Sequence, residues 1–319
     1  MKKELGILTL LIVLCGVTAA INPRFLSGPN LTNLANLIGL YGIFSIGLGL
    51  VIITGGIDLS VGSVFALAGV LLAMMLAEWK WPWPLAALTA IGIPTALGLI
   101  NGVLVTKLKI QPFVATLCGL MIYRGLARFI AGEDTKGFGN AEGFQTLQII
   151  AKGRLFGVLP MPFVILIIIS IVMWFVLHRS IYGRYLFAVG RNEESTRFSG
   201  INTRWVVASS YVLAGLLTGI SSILFAFYTN SISPSNHGNF YELYGIAAAV
   251  LGGCSLRGGE GSIIGILIGT ALFQVLQNVV NLLGIPSALN FTVMGTVVLV
   301  GVLADQFFQE RAKQKLVKR

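Results

Sequence analysis

Apolar and polar positions along the chain fall into long blocks, without the two-residue alternation of a half-buried strand. Apolar runs cover approximately Leu5 to Ile21, Leu34 to Thr54, Leu59 to Leu76, Leu85 to Val105, Phe113 to Ala131, Pro162 to Leu177, Trp205 to Tyr228, Leu243 to Cys254, Ile263 to Leu283 and Leu289 to Phe308. A helix needs about 20 apolar residues to cross a hydrocarbon core ~30 Å thick. The pattern therefore predicts an all-α polytopic membrane protein with about ten transmembrane helices. The run ending at Cys254 is short, and the run starting at Leu59 follows a Gly-Gly pair, so interrupted helices are expected in both neighbourhoods.

One polar stretch stands out between these blocks. His178 to Arg204 holds five arginines (Arg179, Arg184, Arg191, Arg197 and Arg204) in 27 residues. At its centre Asn192 is a good N-cap, Glu193 and Glu194 place negative charge in a first turn, and Gly200 ends the run. The implied helix, about Glu193 to Ser199, is only ~10 Å long and needs something to pack against. Two further polar segments, 132–161 and 229–240, are expected as external loops, either solvated connectors or docking sites for a soluble partner.

Composition agrees with the block pattern. The 319 residues are 55% hydrophobic and 11% charged, with a mean hydropathy of +0.86, against about 25% charge in an ordinary soluble domain. The net charge of +10 does not indicate nucleic acid, because the basic residues lie between apolar runs, where they set topology and meet lipid headgroups. Most of them (Lys2, Lys3, Lys107, Lys109, the five arginines, Arg257, Arg311, Lys313, Lys315, Lys318 and Arg319) fall on one side of a ten-span topology. That bias puts both termini and the polar stretch in the cytoplasm. Residues 5–21 are expected as a retained first span, although Val17-Thr18-Ala19 is a weak cleavage pattern. Cys15, Cys118 and Cys254 lack metal-like spacing, and His178 and His237 are far apart, so neither a disulfide framework nor a metal site is expected.

Candidate chemistry is sparse. Neither a phosphate-binding GxxxxGK[ST] pattern nor a hydrolase constellation is present, so the chain does not hydrolyse ATP by itself and is not expected to be an enzyme. Thr54-Gly55-Gly56-Ile57-Asp58-Leu59-Ser60-Val61-Gly62-Ser63 places an ionisable Asp58 where one apolar run hands over to the next. Asp58 and Ser60 either cap the following helix or serve the translocation path, and the two roles can coexist. Similar punctuation recurs from Gly252 to Ser262, a weak sign of an internal repeat.

Four motifs in this order resemble the membrane subunits of bacterial ribose-type ABC importers, the permease family for simple sugars, and the resemblance covers nearly the whole chain. They are Gly55 to Ser63; Gln111-Pro112-Phe113-Val114-Ala115-Thr116-Leu117 with Arg124-Gly125; Ala188-Val189-Gly190-Arg191-Asn192 leading to Ser199-Gly200-Ile201; and Gly252 to Ser262. The resemblance implies one permease domain over 1–319, in the bacterial inner membrane. It implies a homodimer, a cytoplasmic ABC ATPase that binds ATP and Mg, and a periplasmic sugar-binding protein that docks on 132–161 and 229–240. This chain would bind no cofactor. The stretch 178–204 would be the coupling loop, with Gly190, Arg191, Asn192, Glu193, Glu194, Arg197 and Gly200 meeting the ATPase. Gly55, Gly56, Asp58, Ser60, Phe44, Tyr244 and Asn278 are the candidates for the path or gate, the last three fitting ordinary helix packing as well. The competing reading is an ion-gradient-driven secondary transporter with Asp58 as the ion site, which leaves the capped helix unexplained.

Overall fold

The computed structural model describes residues 2–286 and, beyond them, 289, 292, 293, 295, 296 and 299. The tenth predicted run, Leu289 to Phe308, and the basic residues from Arg311 to Arg319 therefore fall mostly or wholly outside the described residues. Among the described residues twelve α-helices are bounded: α1 (Lys2–Ile21), α2 (Gly28–Ile53), α3 (Val61–Ala73, continued by a π turn Met74–Glu78), α4 (Trp83–Thr106), α5 (Pro112–Ala131), α6 (Gln145–Lys152), α7 (Met161–His178), α8 (Ile181–Arg191), α9 (Glu193–Phe198), α10 (Thr203–Thr229), α11 (Tyr241–Leu251) and α12 (Ile263–Leu282). Among the described residues eight helices are long and apolar enough to cross a membrane: α1, α2, α3 with its π turn, α4, α5, α7, α10 and α12. The protein is an all-α polytopic membrane protein.

Helix α2 forms the centre. Every residue from Gly39 to Ile53 is buried, as expected of a helix that is apolar all round. Around it pack α7, α10, α11 and α12, while α4 lies along α10 and α5 along α3. Close approach of α4 and α10 needs small residues: a Cβ on Gly98 would sit 2.3 Å from the Tyr211 carbonyl oxygen, and one on Gly215 2.3 Å from that of Pro94. With no hydrophobic driving force between helices in lipid, such backbone contact is a main source of cohesion.

Of the two neighbourhoods where interrupted helices were expected, the first holds a break between two helices that are each long enough to cross, and the second a short helix. Helix α2 ends at Ile53, Gly55 takes a left-handed φ of 82, and residues 56–60 form no regular element before α3. Helix α11 has eleven residues, ~16 Å, about half a hydrocarbon core. It begins inside the bundle because the chain after α10 turns inward. Ser231–Ile232 pairs with Lys136–Gly137, Ile232 reaches Gly69, and the Gly238 carbonyl lies against Gly62, seven residues or ~10 Å further along α3. Ile232, Pro234, His237 and Gly238 are buried. Part of the segment 229–240 therefore packs inward against α3, while residues 229–231, 236, 239 and 240 stay exposed. Arg124 of α5 ties the inward part there by donating to the carbonyls of Pro234 (3.1 Å), His237 (2.7 Å) and, on α3, Gly62 (3.1 Å).

Candidate functional site

The arginine-rich stretch folds as two helices. Ser180 accepts from the Gly183 amide (3.1 Å) and starts α8, which buries Gly183, Leu186 and Val189. The three-residue spacing of those positions was the available sequence signal for this helix, which the pattern of caps around Asn192 overshadowed. Asn192 then caps α9, its Oδ1 accepting from the Ser195 amide at 2.8 Å. Gly200 (φ 84) closes it. The helix ends at Phe198, one residue before the expected Ser199. Its tie to the body is narrow: only Thr196 is buried, and the Thr203 hydroxyl donates to Glu193 Oε1 at 3.0 Å. All five arginines are exposed, as are Asn192, Glu193 and Glu194, and Phe198 is 79% exposed with the Arg197 guanidinium 5.8 Å from its ring.

Gly190, in the last turn of α8, meets the two glycine-rich turns that the sequence singled out. A Cβ on Gly190 would lie 1.9 Å from the Ile53 carbonyl oxygen and 2.4 Å from the Gly259 amide. The Gly259 amide itself donates to Ile53 O at 2.8 Å, and Gly258 faces the Gly190 carbonyl and the Gly55 amide. The ends of α2 and α8 and the turn before α12 therefore share one backbone junction. Next to it Cys254 is buried, and burial pushes its thiol up to about 12.

Asp58 is buried and neither caps α3 nor stands alone. Its Oδ1 accepts from the Ser60 amide (2.8 Å) and hydroxyl (2.6 Å), an Asx turn that sets the entry into α3. Ser60 holds the N-cap position of α3 without making a cap bond; its hydroxyl instead accepts from Asn101 Nδ2 (3.0 Å), and Asn101 Oδ1 accepts from Tyr123 (3.2 Å). Tyr211 of α10 donates to the Ile57 carbonyl at 3.1 Å. A cavity of about 10 Å³ adjoins Asp58, Asn101 and Thr218, the scale of one water molecule.

Of the path candidates, Phe44 and Tyr244 are brought into one aromatic cluster. Tyr41 has ring centroids at 5.6 Å from Phe44, 5.1 Å from Phe225, 5.2 Å from Tyr241 and 6.1 Å from Tyr244. Phe65 joins from α3 at 5.2 Å from Phe44. The cluster thus draws on α2, α3, α10 and α11. Asn278 is elsewhere, in a reciprocal amide pair with Asn30 of α2 (3.1 and 2.7 Å). Tyr41 and Tyr241 were not singled out by sequence reasoning, since isolated aromatics in apolar runs carry no local signal; Arg124 entered only as part of a family motif, without a role. Among the described residues no group of three or more His, Cys, Asp or Glu side chains suits a metal ion.

Residues 30–303 match the family described as branched-chain amino acid transport system / permease component. The ribose import permease protein RbsC of Bacillus subtilis (strain 168) is 38% identical over 305 residues, covering 95% of this chain and 93% of that protein. The probable ABC transporter permease protein y4mJ of Sinorhizobium fredii is 34% identical over 310 residues (97% and 91%), and the galactofuranose transporter permease protein YtfT of Escherichia coli K12 is 37% identical over 257 residues (81% and 74%). The chain belongs to the ribose-type family of ABC-importer permeases. No solved structure matches it. The match spans the motifs that carried the resemblance, from the Asp58 turn through α9 to the glycine-rich turn before α12. The permease is a transport subunit of multi-pass architecture.

Proposed function

We propose that the permease moves a simple sugar, a ribose-like pentose or a hexose, that a periplasmic binding protein delivers, and that a separate cytoplasmic ATPase drives the movement with ATP and Mg. Two copies of the chain would enclose the path, with both termini in the cytoplasm. The observation that carries this reading is α9: a six-residue helix capped at both ends and exposed on almost every residue, hinged to a junction of unyielding backbone contacts. A helix that short gains little from its own hydrogen bonds; its worth lies in what it transmits. Gly190, Arg191, Asn192, Glu193, Glu194, Arg197 and Gly200 would form the surface the ATPase moves.

In this reading a shift of α9 passes through α8 and Gly190 to Ile53 and Gly259. From there it reaches α2, α12 and, through Gly55 and Gly56, the Asp58–Ser60 turn at the foot of α3. Three of the four helices that feed the aromatic cluster, α2, α3 and α11, end or begin at this junction or beside it, so displacing them parts Phe44, Tyr244 and their neighbours. Interlocked interfaces of this kind switch between discrete packings and do not deform continuously. Asp58 serves the turn here, and no ion needs to bind it. The sugar class rests on relatives named for ribose and galactofuranose, and two different sugars at similar identity fit a path with little selectivity of its own.

The test is reconstitution of the permease with its ATPase and candidate binding proteins. A loaded binding protein that stimulates hydrolysis supports the reading and names the solute; Arg197→Glu and Gly200→Pro chains should insert normally yet lose uptake. Normal uptake by both variants, or uptake by the permease alone under a proton or sodium gradient, would overturn it.

A further inference from the structure

Immediately before α7 the chain makes a small hairpin, Arg154–Leu155 paired with Leu159–Pro160, whose base is closed by the Met161 amide donating to the Gly153 carbonyl at 2.9 Å. Its three-residue loop presents Phe156, 88% exposed, and Val158, 64% exposed; Leu155 and Leu159 are exposed beside them, as is Ile149 (67%) on the preceding α6. Phe156 has φ 52 and Gly157 φ 73. A left-handed backbone at a bulky residue is uncommon and costs energy, and here it carries the ring on the tip of the hairpin and away from the protein. Polar or glycine residues suit such a position, and a loop tip in water gains nothing from a phenylalanine there.

The depth of the hairpin explains it. The Pro162 backbone lies against Gly39 of α2, fourteen residues or ~21 Å from Ile53, where α2 ends on the opposite side. Measured from that level, a hydrocarbon core ~30 Å thick extends past the hairpin base. With the inner edge of such a core at Ile53, the hairpin lies close to its outer edge. Lys152 and Arg154, both exposed, flank the apolar tip, and among residues 143–160 they are the only charged side chains.

We propose that residues 149–159 form an interfacial anchor: Phe156, Val158 and Ile149 insert into the outer leaflet, and Lys152 and Arg154 bind the phosphates of anionic phospholipid. Apolar insertion with adjacent basic charge is the combination that interfacial elements use. Anchored in this way, the start of α7 is held at a fixed height beside α2, and the polar positions of the same segment, such as Glu133 and Glu142, stay free of lipid.

The experiment places a spin label at Phe156→Cys in the full chain carrying Cys15→Ser and Cys118→Ser, with buried Cys254 retained, in bilayers of phosphatidylethanolamine and phosphatidylglycerol. A label at Asn140→Cys, on an exposed turn of the same segment, is the aqueous control. Collision with oxygen should exceed collision with a water-soluble nickel chelate several-fold at 156 and fall below it at 140. Lys152→Glu with Arg154→Glu should lower the ratio at 156 in the mixed bilayer and leave it unchanged when phosphatidylglycerol is omitted. Nickel access at 156 equal to that at 140 would overturn the proposal, as would loss of both collisions with dipolar broadening between labels, which would mean that a second copy covers the tip. An unchanged ratio in the double charge variant would also overturn the lipid-phosphate part.

Discussion

The Gly259 amide donates to the Ile53 carbonyl at 2.8 Å, and Gly190 lies so close to both that a Cβ there would meet the Ile53 oxygen at 1.9 Å. The contact is between backbones, so no side-chain rotation can relieve a methyl group. Gly190→Ala should therefore cost the overpacking penalty of about 1–3 kcal/mol in the resting arrangement. The variant should insert and bind its partners but lose coupling, seen as uptake falling much further than ATPase activity. Gly125→Ala on α5 is the matched control: open space surrounds that position, and uptake should be unaffected.

Arg124 should be needed for stability as well as transport. It satisfies three carbonyls, of Pro234, His237 and Gly62, and so holds the inward-packed part of 229–240 against α3. Removing one partner of a buried hydrogen bond to a charged group costs about 1.5–3 kcal/mol. Arg124→Ala should lower the thermal unfolding temperature in detergent by several degrees. Arg124→Lys should recover only part of the loss, because a single ammonium cannot reproduce the planar fork.

The membrane architecture was largely legible in the sequence and the site only in pieces. Block hydropathy located the eight long helices because each is a continuous apolar run, and Asn192 with Gly200 bounded α9 because capping is local chemistry. Gly55-Gly56 and Gly252 to Ser262 drew attention as breaks in the pattern. That they meet each other through Gly190 is a tertiary fact, resting on residues more than 130 positions apart. The inward turn of 229–240 was hidden for a related reason. Its composition is that of a solvated loop, and what ties part of it inside is Arg124, over a hundred residues away. Phe44 and Tyr244 were candidates in isolation; Tyr41, which links them, looked like any aromatic in an apolar run.

Asn30 and Asn278 exchange two hydrogen bonds between α2 and α12. Interhelical hydrogen bonds in membranes are worth about 0.6 kcal/mol on average and up to about 1.7. Single alanine substitutions should each destabilise the protein, and the double variant should be less destabilised than their sum, with a coupling energy of about 0.5–1.5 kcal/mol in a double-mutant cycle. Additive effects would show that the pair does not hold the two helices together.

Cys254 offers a direct readout of the junction. It is buried beside Gly261, and burial raises its thiol to about 12, so the thiolate that reacts with maleimide is scarce at neutral pH. In the unfolded chain the same group ionises near pH 8.5. Its folded-state protection is therefore complete below that pH and is lost as pH rises towards about 12, so its contribution to stability declines over that alkaline window. At pH 7.5 (about one unit below the free thiol's value) the resting permease should leave Cys254 unlabelled until it is denatured, as mass spectrometry of the labelled protein would show. Labelling during ATP turnover with the assembled transporter should rise several-fold if the turn before α12 separates from Ile53 in each cycle. Equal protection at rest and in turnover would mean that the junction moves as a rigid unit, and would place the opening of the path elsewhere along α2 and α11.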